Sequence, residues 1–397
     1  MPFDFRFTPD QEAFREGVRA FLAREVAPIV AEMDAREEFP AASVGKMRSE
    51  GYFGVPVPEE FGGLGLGKVG YAILLEELGK LDASHGTIVG AHTSLGTTPL
   101  LAYGTPEQKQ RWLVPAAQGK KLLAFSLTEP GSGSDSGSVR TRADRRGDRW
   151  VLSGTKIYVS NGKEADTVVL LAANDAKLGP AGGVTAFLLD KGLAGFSVGR
   201  CEKKMGLHGT STAELILDGV EVGPECVLGE VGRGFIVAMT ALDVGRVSLG
   251  AASLGAMEAA TTAAINFAKE RTQFGHPISE FEAIQFKLAD MAMHVEALRL
   301  LVYHAAAEQD RLGHDPTQWS RADREAKTRT AAIVKCLASE WASDVIDEAL
   351  QIHGGLGYIR GTPIERAYRD ARISEIFEGT NEVQRLVIAR DLLQRGL

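Results

Sequence analysis

The chain has 397 residues, 44% of them hydrophobic and 24% charged, and a formal net charge of −8. That length exceeds one core and predicts two or three domains, and the acidic balance argues against a nucleic-acid binder. No apolar run approaches the roughly 18 residues of a spanning helix, and Met1-Pro2-Phe3-Asp4-Phe5-Arg6 lacks a basic stretch followed by an apolar one, so a cytoplasmic protein is expected.

Residues 1–120 are helical in rhythm, broken at Pro28, Pro40, the Pro56–Gly67 loop and Pro99. Thr8 before Pro9 is the expected N-cap of the first helix. Residues 121–232 change to short apolar segments bounded by Gly, Asn and Asp: Trp150-Val151-Leu152, then 167–171, 184–189 and 213–217. These read as the strands of a β domain, barrel or sandwich. Residues 233–397 return to long amphipathic stretches, at 234–271, 280–309, 321–352 and 381–394, which predict a four-helix bundle. The fold class is therefore α+β, a β domain between two helical ones, without the repeated βα units of a Rossmann enzyme.

Three scattered cysteines, Cys201, Cys226 and Cys336, form no CxxC pair and read as buried thiols. No histidines fall at ligand spacing, so a metal site is not expected. Gly65-x-Gly67-x-x-Gly70 has the letters of a dinucleotide fingerprint, but no strand precedes it and no βαβ unit surrounds it, and it reads as a loop.

Five segments carry chemistry. Thr128-Glu129-Pro130-Gly131-Ser132-Gly133-Ser134-Asp135 follows the apolar run Leu122–Leu127. Small residues and hydroxyls there suit close approach to a polar ligand, or form a flexible loop. Gly206–Thr212 is a weaker loop of the same kind. In Lys156-Ile157-Tyr158-Val159-Ser160-Asn161-Gly162, Tyr158 and Ser160 are two apart, hence on one face of a strand, where a planar heterocycle could stack; the alternative is a strand ending in an Asn-Gly turn. Arg271-Thr272-Gln273-Phe274-Gly275 ends a helix with a cation and an aromatic, and Gln351-Ile352-His353-Gly354-Gly355 ends another with two glycines. Last, Glu375-Ile376-Phe377-Glu378-Gly379-Thr380-Asn381-Glu382 sets Glu378 beside apolar neighbours, which would raise its pKa toward that of a general base. The alternative is a helix junction ended by Gly379 and capped by Asn381 with Gln384.

Together these motifs, in this order over nearly the whole chain, resemble the acyl-CoA dehydrogenase family. The resemblance implies a flavoenzyme that binds FAD and removes hydrogens from the α and β carbons of an acyl-CoA, with Glu378 as the base. It implies FAD contacts from Phe125, Leu127, Thr128, Gly133, Ser134, Tyr158 and Ser160, and from Thr380 and Glu382. Arg271, Phe274, Gln351, Gly354 and Gly355 would reach FAD from a neighbouring subunit, in a homotetramer. Eleven residues after Arg271, where the family usually has a glutamine touching FAD, stands Glu282. Ser134, Asp243, Arg246 and Gly379 would contact the acyl-CoA, with the segment 92–99 shaping its pocket. Relatives that place the base at the position of Gly245 cannot be the model, which favours a short- to medium-chain, straight-chain type. The family's electron acceptor is electron-transferring flavoprotein. A flavin monooxygenase-like relative would lack Glu378, an acyl-CoA oxidase would be longer, and a non-catalytic scaffold would have lost Glu378 or the 128–134 loop.

Overall fold

The computed structural model describes residues 6–396; Met1–Phe5, on which the absence of a leader was read, lie outside them. Eight helices come first: α1 (Pro9–Glu25), α2 (Val30–Arg36), α3 (Ala41–Ser49), α4 (Gly67–Leu81), α5 (Ala83–Gly90), α6 (Thr98–Tyr103), α7 (Pro106–Gln108) and α8 (Val114–Ala117). Thr8 closes a capping box on α1 with Gln11, as its position before Pro9 predicts. Asp310 accepts from the backbone N–H groups of Lys68 and Val69, so the Gly65–Gly70 segment is occupied with starting α4 and has no free anion cradle. Between α5 and α6 the chain runs through a π-helical segment, Ala91–Thr97, a local overwinding that sequence periodicity does not reveal.

The middle region is one sheet: β1 (Leu123–Ser126), β2 (Arg142–Arg146), β3 (Arg149–Ser160), β4 (Thr167–Ala173), β5 (Val184–Asp190), β6 (Phe196–Cys201), β7 (Thr212–Val222) and β8 (Val227–Leu228). Strand order is β6-β7-β3-β2-β4-β5-β8, with β1 added parallel to β4. The four apolar segments expected as strands fall in β3, β4, β5 and β7. Cys201 corrects the reading of three buried thiols. It ends the thinly covered strand β6 and is exposed, whereas Cys226 and Cys336 are buried.

Long helices then return: α9 (Gly234–Glu270), a two-residue ribbon β9 (Thr272–Gln273) and β10 (His276–Pro277), α10 (Glu282–Leu312), α11 (Arg321–His353), α12 (Pro363–Ala371) and α13 (Asn381–Arg395). Among the described residues α9 is the one helix long and apolar enough to cross a membrane, which departs from the expectation that no such run exists. Most of its apolar window is buried: α9 is the central helix on which α4, α10 and α11 pack. It comes unusually close to α4. A Cβ at Gly79 would stand 2.1 Å from the Ala252 carbonyl oxygen, and one at Gly255 would stand 1.9 Å from that of Glu76. Two glycines facing opposite ways across the crossing let the backbones touch.

Candidate active site

A cavity of about 980 Å³ opens where the β region meets α9 and the segment before α13. Glu378 stands in its wall. The turn that carries it is backbone-strained, with φ of 56° at Glu378 and 89° at Gly379. Only the second residue is a glycine, so Glu378 holds a conformation that costs a non-glycine residue of order 1–3 kcal/mol. The strain is held from outside. Gln384 donates to the carbonyls of Glu378 (3.3 Å) and Gly379 (3.1 Å), and Arg246 Nε donates to the Glu378 carbonyl (3.3 Å). The expected helix junction is thus corrected in detail. Thr380 caps α13 by accepting from Val383 N–H, while Asn381 is buried and bonds Lys335 instead.

With its backbone fixed, the Glu378 side chain packs flat on α9. A Cβ built at Gly245 would meet Glu378 Oε2 at 2.5 Å, so the carboxylate fills the place a side chain there would take. Oε2 is shut off from solvent and has no hydrogen-bond partner. Burial pushes the carboxyl up to about 7, against the opposing pull of Arg246 and then Lys335. A carboxylate in this state is a proton acceptor poised near neutral pH. Its own backbone N–H makes no hydrogen bond within the described chain and remains available to a ligand oxygen.

Across the cavity, Phe125, Leu127, Thr128, Gly133, Ser134, Tyr158 and Ser160 all line the wall, together with Arg246, Gly379 and Thr380. Tyr158 and Ser160 share the cavity for a reason other than strand alternation. A bulge displaces the register against β7 between Lys156 and Val159, and Tyr158 has φ of 57°. The bulge leaves the Tyr158 ring 61% exposed at the cavity. The hydroxyls of Thr128, Ser134 and Ser160 have no hydrogen-bond partner among the described residues, and each faces the space a ligand would fill.

Two buried ions hold this wall. Lys156 Nζ donates to Glu129 (2.7 Å) and to the Leu127 carbonyl (3.0 Å), and Glu129 also accepts from the backbone of Arg140 and Thr141. Ile157 N–H donates to the Thr128 carbonyl, which ties the hydroxyl loop to the bulged strand. Sequence reading singled out both segments but not the Lys156–Glu129 pair that joins them. A lysine and a glutamate each within an otherwise ligand-like motif were the available signal.

Asp243 does not line the cavity; it stands behind Arg246, 2.8 Å from Nη1, and accepts from Thr328 Oγ1 at 2.6 Å. Of the segment 92–99, Leu95 faces the cavity, while His92, Thr93, Ser94 and Thr97 are buried behind it. Ser94 bonds both Tyr71 and Ser248 at 2.9 Å, and Ser248 donates to the Gly245 carbonyl, so a line of hydroxyls backs the helix where Glu378 rests. Arg271, Phe274, Glu282, Gln351, Gly354, Gly355 and Glu382 lie outside the cavity on the exposed surface of the chain, Phe274 almost fully exposed.

Family models cover nearly the whole chain. The acyl-CoA dehydrogenase N-terminal domain matches residues 8–120, its middle domain residues 124–220 and its C-terminal domain residues 232–393. The chain belongs to the acyl-CoA dehydrogenase family. It is 43% identical over 383 residues to the short-chain specific acyl-CoA dehydrogenase of Bos taurus mitochondria, covering 96% of this chain and 90% of that one. The butyryl-CoA dehydrogenase of Megasphaera elsdenii superposes with a TM-score of 0.93 at 40% identity, over 98% of this chain and all of the other. A chain from the solved structure of the electron transferring flavoprotein of Acidaminococcus fermentans also gives 0.93, at 43% identity, over 99% of this chain and all of the other. This acyl-CoA dehydrogenase is accordingly an oxidoreductase and a flavoprotein, with FAD as its cofactor. The cavity fits that group: three unpartnered hydroxyls, an exposed aromatic ring and an open Gly133, where an added Cβ would touch nothing within 4 Å, border one continuous space.

Proposed function

We propose that the chain dehydrogenates short- to medium-length straight-chain acyl-CoA thioesters to trans-2-enoyl-CoA, with Glu378 as the base. The observation that carries this reading is a sealed, unpartnered carboxylate oxygen on Glu378, in the wall of the same cavity as the flavin-type hydroxyls. FAD, when bound by Thr128, Ser134, Tyr158 and Ser160, supplies the acceptor for the β hydride at its N5.

The residues of this chain do the rest. Glu378 takes the α proton, and its desolvated carboxylate is a stronger base for want of water. Its free backbone N–H is positioned to hydrogen-bond the thioester oxygen as negative charge develops there, which makes the α proton removable. Arg246 holds the Glu378 carbonyl and so helps fix the turn that carries the base. Leu95 and Ser248 bound the space beside Glu378 and limit what acyl chain it receives.

Electron-transferring flavoprotein is the proposed acceptor of the electrons, supported by the likeness to the Acidaminococcus chain. The proposed assembly is a homotetramer in which Arg271, Phe274, Gln351, Gly354 and Gly355 complete the FAD site of a neighbour. Support comes from their exposure: the Arg271 guanidinium, the Phe274 ring and the adjacent glycines Gly354 and Gly355 all lie on the open surface of the chain.

Glu378→Gln tests the base. FAD should stay bound while the rate of flavin reduction by butanoyl-CoA drops about 10²–10⁴-fold. In the wild type that rate should climb as pH rises through about 7, where the carboxylate ionises. A Glu378→Gln protein that still bleaches its flavin at near wild-type rate removes the assignment.

A further inference from the structure

Lys335 stands in the apolar face of α11, in series with Ala331, Ala338 and Ala342, and is fully buried. Its ammonium makes no ion pair among the described residues. Its hydrogen bond goes to a neutral group, Asn381 Oδ1, at 2.7 Å. Burying an ammonium without a paired carboxylate costs several kcal/mol, so such a group is retained only where something uses it.

Two things within reach can use it. The first is the turn. Asn381 follows Glu378 by three residues; its Oδ1 also accepts from Ser339 Oγ (3.0 Å), and its amide donates to Glu340 (3.2 Å). Asn381 is therefore held by three residues of α11, and it anchors the start of α13 two residues beyond the strained turn at Gly379. The second is charge. The titratable groups whose charge acts on Lys335 are Glu378, Cys336, Arg246 and Glu375, and Glu378 leads the attractive ones. Those facing Glu378 are Arg246 from α9, Lys335 from α11 and the neutral phenol of Tyr71 from α4. Arg246 is already paired with Asp243, and Glu340 with Arg385. Lys335 is thus the cation near Glu378 whose charge no carboxylate has cancelled.

We propose that Lys335 is a positioning residue for the dehydrogenation, clamping the Glu378 turn through Asn381 and supplying the uncancelled positive charge that keeps the base ionised. The inference rests on the reading of Glu378 as the base. A merely structural lysine would lower the rate equally at every pH. A charge-setting one moves the pH at which the base becomes active, since an opposite charge nearby favours the ionised form.

The test is the pH dependence of anaerobic flavin reduction by butanoyl-CoA in FAD-loaded wild type, Lys335→Gln, Asn381→Asp and Glu378→Gln. Lys335→Gln keeps a donor for Asn381 but loses the charge. Its rising limb should move up by about one pH unit, with a roughly fivefold loss at pH 7 that is largely regained by pH 9. Asn381→Asp, nearly isosteric, pairs the ammonium and should move the limb in the same direction. A FAD-loaded Lys335→Gln with its limb unmoved overturns the proposal; if that variant does not load FAD, an unmoved limb in Asn381→Asp does so. Activity lost in Glu378→Gln alongside unmoved limbs defeats this inference alone. Activity retained in Glu378→Gln defeats the base assignment beneath it.

Discussion

Glu378 combines two costs that folding alone would not select: a left-handed backbone and a buried carboxylate without a partner on Oε2. Both are offset by neighbours that point the group into the cavity, namely Gln384, Arg246 and the bare surface of Gly245. Gly245 makes the sharpest prediction at this scale. A methyl there meets the far end of the Glu378 side chain, which can swing away, rather than backbone. Gly245→Ala should therefore fold and bind FAD normally while losing about 10²-fold in flavin-reduction rate, the scale of a 1 Å misplacement. Equal rates in rapid-mixing traces would show that the carboxylate does not work from that position. Glu378 and its flavin-side partners were legible in the chain because they lie within short motifs. Lys335 and the Lys156–Glu129 pair were not, because tens of residues separate each partner along the chain, and Gln384, six residues from Glu378, reads as a cap rather than as the group that holds the carbonyls of Glu378 and Gly379.

At the scale of elements, the glycine-mediated crossing of α4 and α9 sets where Gly245 and the hydroxyls of Ser248, Ser94 and Tyr71 lie relative to one another. Gly255→Ala would drive a methyl into the Glu76 carbonyl, a backbone atom with no room to yield. It should lower stability by about 1–3 kcal/mol, read as a fall in the denaturant midpoint, in line with overpacking elsewhere. An unchanged midpoint would mean the helices can part without cost. The strands and long helices were readable from periodicity, since each is decided by which face is buried. The π segment Ala91–Thr97, the bulge at Tyr158 and the exposure of Cys201 were not. Each depends on the neighbour an element meets, and composition does not carry that.

For the whole molecule, the exposed residues matter as much as the buried ones. Phe274 is 91% exposed at φ of 54°, and Phe286, Met293 and Leu300 repeat every seven residues along one exposed stripe of α10. These are the features expected of a chain whose cofactor site is completed by a second copy. Phe274→Ala should leave the cavity of its own chain intact yet reduce FAD retained through gel filtration, measured by flavin absorbance. Full retention would contradict a shared site. The central claim is more direct: the cavity beside Glu378 turns over acyl-CoA. Its test is anaerobic mixing of the FAD-loaded protein with a panel of acyl-CoAs while the flavin absorbance is followed. The account predicts rapid bleaching with butanoyl- and hexanoyl-CoA and slower bleaching with branched or aryl-substituted chains. A flavin that no acyl-CoA bleaches, or one bleached fastest by a branched or aromatic acyl group, would contradict it.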